Sequence, residues 1–553
     1  MPEASLMEKL TALCKRRGFI YPGSEIYGGI GGFWDYGPLG VELKRNIKDI
    51  WWHDMVTNPP NGPDGREISM VGVDCALIMN PKVWEASGHA TGFADPMVEC
   101  LKCRKRWRGD KVYILRVPVV SGTLTVSAPL LAEEAQESKP IPAAEADDKS
   151  EAEAYFKFLM TRFKKRRELR QDIIETYERG KYTILSALEA SGDTIHCPDP
   201  ACGGELTAPR SFNLMFRTFV GALEGTSAQA WLRPETAQGI FVNWPNVLDT
   251  QRVKLPFGIA QVGKAFRNEI NPRNYTFRSR EFEQMEIEFF CRDETAMEWY
   301  EFWRKVRYDW YVNLGLKSEK LRLRDQTEDE LAHYSKCCAD IEYLFPFSDE
   351  HQELEGVAHR GCYDLQQHQK HSGKDLTYFD DDLWQQDAHK YKDDKEAAKK
   401  AKQGPPYRFL PTVIEPSAGV DRSALAFLCE AYTEDEAPDE KGVMQKRVVM
   451  KLHPKLAPIK VAVFPLVNRE DMPVIAEQIY REAKQHMNAF FDLKGAIGRR
   501  YRRQDEAGTP FCVTVDGQTL EDGTVTIRDR DTLAQVRVHK DQVVPWLRER
   551  LAQ

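Results

Sequence analysis

The segment Gly263-Lys264-Ala265-Phe266-Arg267-Asn268-Glu269, followed by Arg278-Ser279-Arg280-Glu281-Phe282-Glu283-Gln284-Met285-Glu286, reads as strand, polar loop, strand. A hairpin there would bring arginines and carboxylates onto one surface. Such a cluster is costly in a core unless charged ligands meet it. Guanidinium forks grip phosphate oxygens, while carboxylates hold an ammonium group or a metal ion. ATP together with an amino acid would satisfy the whole set.

Two further segments must position that chemistry. In Leu410-Pro-Thr-Val-Ile-Glu415-Pro-Ser417-Ala-Gly419-Val420-Asp421-Arg422, an apolar β-prone run meets Pro and Gly, and Asp421 stands where a helix is expected to begin. Arg422 then falls in the first helical turn, beside a partly positive helix end suited to anions. In Gly37 to Trp51, the residues Leu39, Leu43, Ile47, Ile50 and Trp51 form the stripe of an amphipathic helix, which Asn58-Pro59-Pro60 ends. Periodicity alone requires only that one face be buried.

A chain of 553 residues predicts three or four domains, and 42% hydrophobic with 29% charged residues is the composition of a soluble globular protein. Met1 to Phe19 lacks the apolar centre of a signal peptide, and no run is long enough to cross a bilayer, so a cytoplasmic location without membrane contact is expected. The net charge of −8 argues against indiscriminate nucleic-acid binding and leaves room for local basic patches. One such patch is Gly498-Arg499-Arg500-Tyr501-Arg502-Arg503, which reads equally as a solvated helix end. Of twelve cysteines, Cys100-Leu-Lys-Cys103 and Cys197-Pro-Asp-Pro-Ala-Cys202 stand apart, with Gly-Gly after Cys202. They resemble the two knuckles of a zinc ribbon. Four sulfurs would close the coordination sphere, so the zinc would be structural; four unliganded thiols are the alternative.

Along the chain, Val112 to Leu131 is β-like, Ala132 to Glu151 is acidic and linker-like, and Ala154 to Leu188 reads as a helix, strongly basic around Lys164 to Arg167. Asp380 to Pro406 is a charged insert with no evident chemistry. The run Gly28-Gly29-Ile-Gly31-Gly32 lacks the context of a phosphate loop and reads as a flexible or closely packed turn. After His453-Pro454, strands are expected at Ile459 to Phe464, Phe511 to Val515 and Thr524 to Ile527, and helices at Met472 to Phe490 and Asp541 to Leu551. That alternation is a small α/β domain.

Taken in order, the Gly37, Phe266 and Ile414 segments resemble motifs 1, 2 and 3 of class II aminoacyl-tRNA synthetases. The words Trp84-Glu-Ala-Ser-Gly-His89, Leu232-Arg233-Pro-Glu235-Thr-Ala-Gln-Gly239 and Ile414-Glu415-Pro-Ser417 are similar to those of the dimeric glycyl branch. The resemblance implies an α+β catalytic domain built on an antiparallel sheet (1–98 and 208–452), an inserted zinc-ribbon and helical segment (99–207), and a C-terminal α/β anticodon-binding domain (453–553). It implies a homodimer joined through motif 1 and a two-step reaction. Glycine and ATP would give glycyl-adenylate and pyrophosphate, and the glycyl group would then pass to tRNA(Gly) with release of AMP.

The resemblance also implies roles. Arg267 would meet the α-phosphate, Arg278 and Arg422 the outer phosphates, and Phe266 or Phe282 the adenine ring, with Glu269 accepting from the adenine amine. Asn268, Phe277, Ser279, Arg280, Glu281, Leu354, Gly419, Val420 and Asp421 complete the expected ATP set, and Glu353 would help hold Mg²⁺. Glu235, Glu286 and Glu415 would surround the glycine ammonium with Ser417 beside them, joined by Arg108, Phe282, Glu283, Gln284, Met285 and Gly419. No editing domain is expected, since a rigid, filled pocket can exclude a methyl group. His351-Gln352 and Cys362 depart from the family pattern on the metal side.

Overall fold

The computed structural model describes residues 5–119, 122–128, 183–186, 188, 195, 197, 202, 204–221, 229–328, 330–332, 335–438 and 443–552. The chain forms two compact units, one of Met1–Ser87, Phe216–Arg267 and Arg273–Gln553, the other of Gly88–Met215 and Asn268–Pro272.

The first unit is organised around a seven-stranded sheet. In chain order its strands are β1 (Ser69–Gly72), β2 (Phe257–Phe266), β3 (Glu281–Cys291), β4 (Leu321–Asp325), β5 (Cys337–Tyr343), β6 (Gln352–Gly361) and β7 (Thr412–Gly419). They lie in the order β4-β5-β6-β7-β3-β2-β1, antiparallel except where β1 joins β2. The hairpin expected around Arg267 is the β2–β3 pair, with Gln261 opposite Glu286. Its far end is closed by paired backbone bonds between Arg273 and Arg278, and Asn274 and Tyr275 both take positive φ there.

Helix α1 (Leu6–Arg17) and helix α2 (Pro38–Trp52) pack with this sheet; α2 starts with Pro at its first turn, where the missing N–H costs nothing. The α2 stripe Leu43, Ile47 and Trp51 enters the chain's own core. Gly40 is required at the closest crossing, because a Cβ there would lie 1.8 Å from the Phe19 carbonyl oxygen. Helix α3 (Ala237–Gln251) packs with the β2 end of the sheet, and α4 (Ala296–Asn313) buries Trp299, Trp303 and Trp310. Its Arg307 is fully buried and bonds both oxygens of Glu355 on β6, at 2.7 and 3.0 Å. Helix α5 (Val420–Ala431) begins one residue earlier than the sequence suggested, with Gly419 as its cap. Asp421 is instead tied to α2 by Lys44 at 2.9 Å.

The C-terminal part of this unit is a five-stranded sheet of β8 (Val461–Pro465), β9 (Ala489–Phe491), β10 (Phe511–Val515), β11 (Thr524–Asp529) and β12 (Gln535–His539), in the order β9-β8-β10-β11-β12. The helix expected to reach Phe490 ends at Ala483 as α6 (Met472–Ala483), and Phe490 belongs to β9. The basic run lies on α7 (Ile497–Ala507), where it mostly serves the fold. Arg500 is buried and donates to the carbonyls of Pro465 (2.7 Å) and Leu466 (3.0 Å), and Arg503 pairs with Asp492 at 2.5 Å. Helix α8 (Val543–Ala552) closes the chain.

The second unit holds a three-stranded sheet of Arg106–Arg108, Ala94–Glu99 and Arg210–Asn213 and another of Gly122–Ala128, Tyr113–Val119 and Thr183–Ser186. The β-like stretch from Val112 is therefore a hairpin. The linker reading of Ala132 to Glu151 and most of the helical reading of Ala154 to Leu188 fall outside the described residues. Thr183–Ser186, inside that second range, is a strand rather than helix: its β-branched Thr183 and Ile184 pair with Arg116 and Leu115.

Candidate active site

Strand alternation sorts the residues of β3. Phe282, Gln284, Glu286 and Glu288 share one face; Glu281, Glu283, Met285 and Ile287 share the other. Glu283 therefore leaves the carboxyl cluster and pairs with Lys44 (2.6 Å) and Lys48 (2.9 Å) on α2, while its N–H donates to Asp421. Burial resists that ionisation, but the two lysines hold the Glu283 carboxyl below the usual carboxylate range. Met285 is fully buried in the main core, as are Leu354 and Val420. Glu281 pairs with Lys264 across the hairpin.

One end of the site is arginine-rich. Arg422, in the first turn of α5, lies 3.1 Å from the Glu353 carboxylate and donates to the carbonyls of Phe277 and Glu353, each at 3.2 Å. Its guanidinium lies over the Phe277 ring at 4.6 Å, and Arg267 lies over Phe282 at 5.4 Å. The Arg422 guanidinium, with Arg267 and Arg278 adding to it, holds the half-exposed Glu353 carboxyl below its usual range. Arg422 thus contacts this carboxylate, and Arg267 and Arg278 add to the positive field around it. Arg267 Nε is fixed to the Pro234 carbonyl (3.1 Å), and Arg280 donates to the Gly31 carbonyl (2.8 Å). The glycine-rich run is tied to the hairpin at Gly31 and Gly32, while Ile30 stays exposed. Ser279 is buried.

The other end is a buried set of acids. Glu286 accepts from the hydroxyl of Thr236 and from that of Ser417 (2.7 Å), and Gln284 lies 3.4 Å from the Ser417 oxygen. Gln238 bridges Glu235 and Asp364, both at 2.9 Å, and is itself held by His368 at 2.8 Å. Arg360 binds Glu415 at 2.7 Å and grips Asp364 through two bonds of 2.8 and 2.9 Å. Oxygens of Glu286, Glu288 and Glu415 all lie within 4.8 Å of one another. Burial pushes the Glu415 carboxyl up to about 8; Arg360 opposes the rise while Glu286 and Glu235 add to it. Burial and then Glu235 raise Glu286 as well, against the hydrogen bonds from Thr236 and Ser417. Such a pocket favours a small cation that can take several oxygens at once.

Three expected site residues belong to the second unit. Arg108 pairs there with Asp110 (2.7 Å) and Asp95 (3.1 Å), with Glu269 adding to the negative field around it, and the Asn268 N–H donates to the Leu214 carbonyl. The same unit gathers the four cysteines. The sulfurs of Cys100 and Cys202 are 3.6 Å apart, those of Cys103 and Cys197 3.7 Å, and all four lie within 4.8 Å. A tetrahedral ion about 2.3 Å from each sulfur would set edges of about 3.8 Å, so the spacing fits zinc. Gly204 makes room for it: a Cβ there would lie 2.9 Å from the Cys100 sulfur.

Residues 224–372 match the model of the tRNA synthetase class II core domain (G, H, P, S and T), and residues 460–550 that of an anticodon-binding domain. Over 99% of both chains, this protein is 52% identical to the glycine–tRNA ligase of Rhodopirellula baltica. The chain belongs to the glycine–tRNA ligase family. The ligases of Thermobifida fusca (45% identical, 100% of this chain and 99% of the relative) and Caldanaerobacter subterraneus subsp. tengcongensis (44% identical, 100% of each) extend the match.

As a class II synthetase, the chain carries the antiparallel catalytic sheet and the anticodon-binding domain that its motifs implied. Within that frame, sequence reading passed over Arg360, Asp364, Thr236, Gln238 and Glu288. The spacing Glu286-Ile-Glu288 on a strand was a usable signal for the last, because alternation puts both acids on one face. Arg360 and Asp364 had no comparable signal; Arg360 on β6 meets Glu415 on β7, and Asp364 holds Arg360, only after the sheet forms.

Proposed function

We propose that the arginine end binds ATP and the buried carboxyl end binds the glycine ammonium, so that this chain charges tRNA(Gly) with glycine through glycyl-adenylate. The observation that carries the reading is the carboxyl cluster of Glu286 and Glu415 beside Ser417, in a chain of the glycine–tRNA ligase family. Arg267, Arg278 and Arg422 would neutralise charge as the glycine carboxylate attacks the α-phosphate and pyrophosphate leaves. No side-chain nucleophile is needed. Glu353, already paired with Arg422, would join the phosphates in holding Mg²⁺. ATP–pyrophosphate exchange with each of the twenty amino acids supplied singly tests the reading. Exchange with glycine alone supports it, and no exchange with glycine removes it.

The accompanying features are proposals on the same footing. The four cysteines would hold a structural zinc: the purified protein should carry one zinc per chain, and Cys103→Ser should lose it. A homodimer would form through α2 and the sheet edge at β1, where Val56, Met70, Val71 and Val247 line a hollow of about 470 Å³; sedimentation at a single chain mass would refute it. Residues 1–98 with 208–452 would be the catalytic domain, 99–207 the insertion and 453–553 the anticodon-binding domain. Among the described residues no helix is long and apolar enough to cross a membrane, and we place the activity in the cytoplasm, with its tRNA.

A further inference from the structure

Glu288 plays no part in the reaction outlined above, yet it sits under the pocket. Between the paired positions Glu286–Ser417 and Phe289–Ile414, the strand register carries Glu288 opposite Glu415. Two carboxylates facing one another across antiparallel strands repel. Glu288 is fully buried, and among the described residues neither of its oxygens has a hydrogen-bond partner. A buried ion without partners is far costlier than a buried neutral acid.

The groups around Glu288 supply no spare positive charge. Glu286 lies two residues away on the same strand, Glu415 faces it from β7, and Asp364 adds a further acid from the helix Tyr363–Ser372. On the β2 side its cross-strand neighbour is the apolar Ile259. The cation facing it is Arg360, whose guanidinium is already bound to Glu415 and Asp364. We propose that Glu288 is a positioning residue for the amino-acid pocket, an uncharged carboxylic acid whose O–H is donated to Glu415. Two carboxylates of the cluster, not three, then face the substrate ammonium. The O–H would fix the Glu415 carboxylate between Arg360 and Glu288 and leave its remaining lone pairs to the ligand. In support, burial first and Glu415 second push the Glu288 carboxyl well above its ordinary range, against Arg360.

The inference rests on the reading that Glu286 and Glu415 hold the glycine ammonium. The test compares Glu288→Ala, Glu288→Gln and Glu286→Gln in pyrophosphate exchange, with KM for glycine and KM for ATP measured at neutral and mildly alkaline pH. Glu288→Ala should raise KM for glycine by about tenfold, with KM for ATP unchanged, because Glu415 loses a donor. Glu288→Gln, whose amide N–H replaces the acid O–H, should restore KM to within about threefold of the parent without changing the pH profile. Glu286→Gln should not be rescued in this way. A Glu288→Gln protein as impaired as Glu286→Gln, or one whose pH profile has lost an ionisation, overturns the inference. Should Glu288→Ala not fold, the two glutamine variants decide the matter alone. A parent protein that exchanges no glycine removes the site reading itself; a normal parent with an impaired Glu288→Gln removes only this inference.

Discussion

The side chain of Arg422 is 24% exposed and that of Glu353 beside it 55%, whereas Glu286, Glu288 and Glu415 are 2%, 0% and 7% exposed. The two ends of one site thus hold opposite charge in opposite surroundings. At the arginine end, water, backbone carbonyls and Glu353 keep every charge solvated or paired, so the end can stand charged before a nucleotide arrives. At the carboxyl end, Arg360 binds Glu415 and Asp364, and burial favours the protonated forms of Glu286 and Glu415. Under the proposed function, affinity for a triphosphate would be a matter of placed donors, and affinity for an ammonium group a competition with protons.

The sharpest contrast should come from Glu286→Ala. Truncating one partner of a buried charged contact costs roughly 2–5 kcal/mol, a fall of about thirtyfold to several-thousandfold in kcat/KM for glycine. KM for ATP should stay within a few-fold. Arg422→Ala should do the reverse and less strongly, since a charge-assisted bond contributes about 1.5–3 kcal/mol, or roughly ten- to hundredfold on ATP. Steady-state exchange with each substrate varied in turn checks both. If either variant lowers both affinities equally, the two ends do not act separately.

Sequence could anticipate this division because residue chemistry and order were enough for it: arginines on a hairpin and in a first helical turn, and acids on two strands. What it blurred was the side of the strand. The run from Phe282 to Glu286 looked like one lining, but period-two alternation sends Glu283 to the lysines of α2 and Met285 to the core. The arginine run at Arg499 to Arg503 was ambiguous for a related reason, because burial of Arg500 depends on where the β8 carbonyls end. Helix α6 was overextended since Met487 and Phe490 continue its apolar pattern with no Pro or Gly to stop it. Long-range partners such as Arg360 left no local trace at all.

Proton competition gives the third prediction. Burial pushes the Glu415 carboxyl up to about 8, and under the proposed function an ammonium ligand would need that carboxyl ionised. Glycine binding must therefore release protons below that pH. KM for glycine should fall as pH rises toward about 8, by up to roughly tenfold per unit, and level off above it. KM for ATP should hold steady across the same window, because the arginines keep Glu353 ionised. The linked stability has the opposite sign. A carboxyl whose folded pKa is raised makes the glycine-free protein lose stability as pH climbs from the ordinary carboxylate range to about 8, and added glycine should offset that loss in thermal melting. A KM for glycine that is flat from pH 6.5 to 8.5 on this scale would mean that the acids are already ionised in the free protein.

Ser417→Ala should have the smallest effect and the most diagnostic shape. Its hydroxyl donates to Glu286 at 2.7 Å and so favours the ionised form that the ammonium needs. Removing it costs about one hydrogen bond, roughly 0.5–1.5 kcal/mol, a few-fold to about tenfold in KM for glycine. Because the lost bond acts through the ionisation of Glu286, the penalty should be larger at low pH and shrink as pH rises, with the whole profile displaced upward. A direct bond from the Ser417 hydroxyl to the substrate would instead give a penalty of the same size at every pH. Measuring KM for the variant at one pH below and one pH above the point where the parent levels off separates these outcomes.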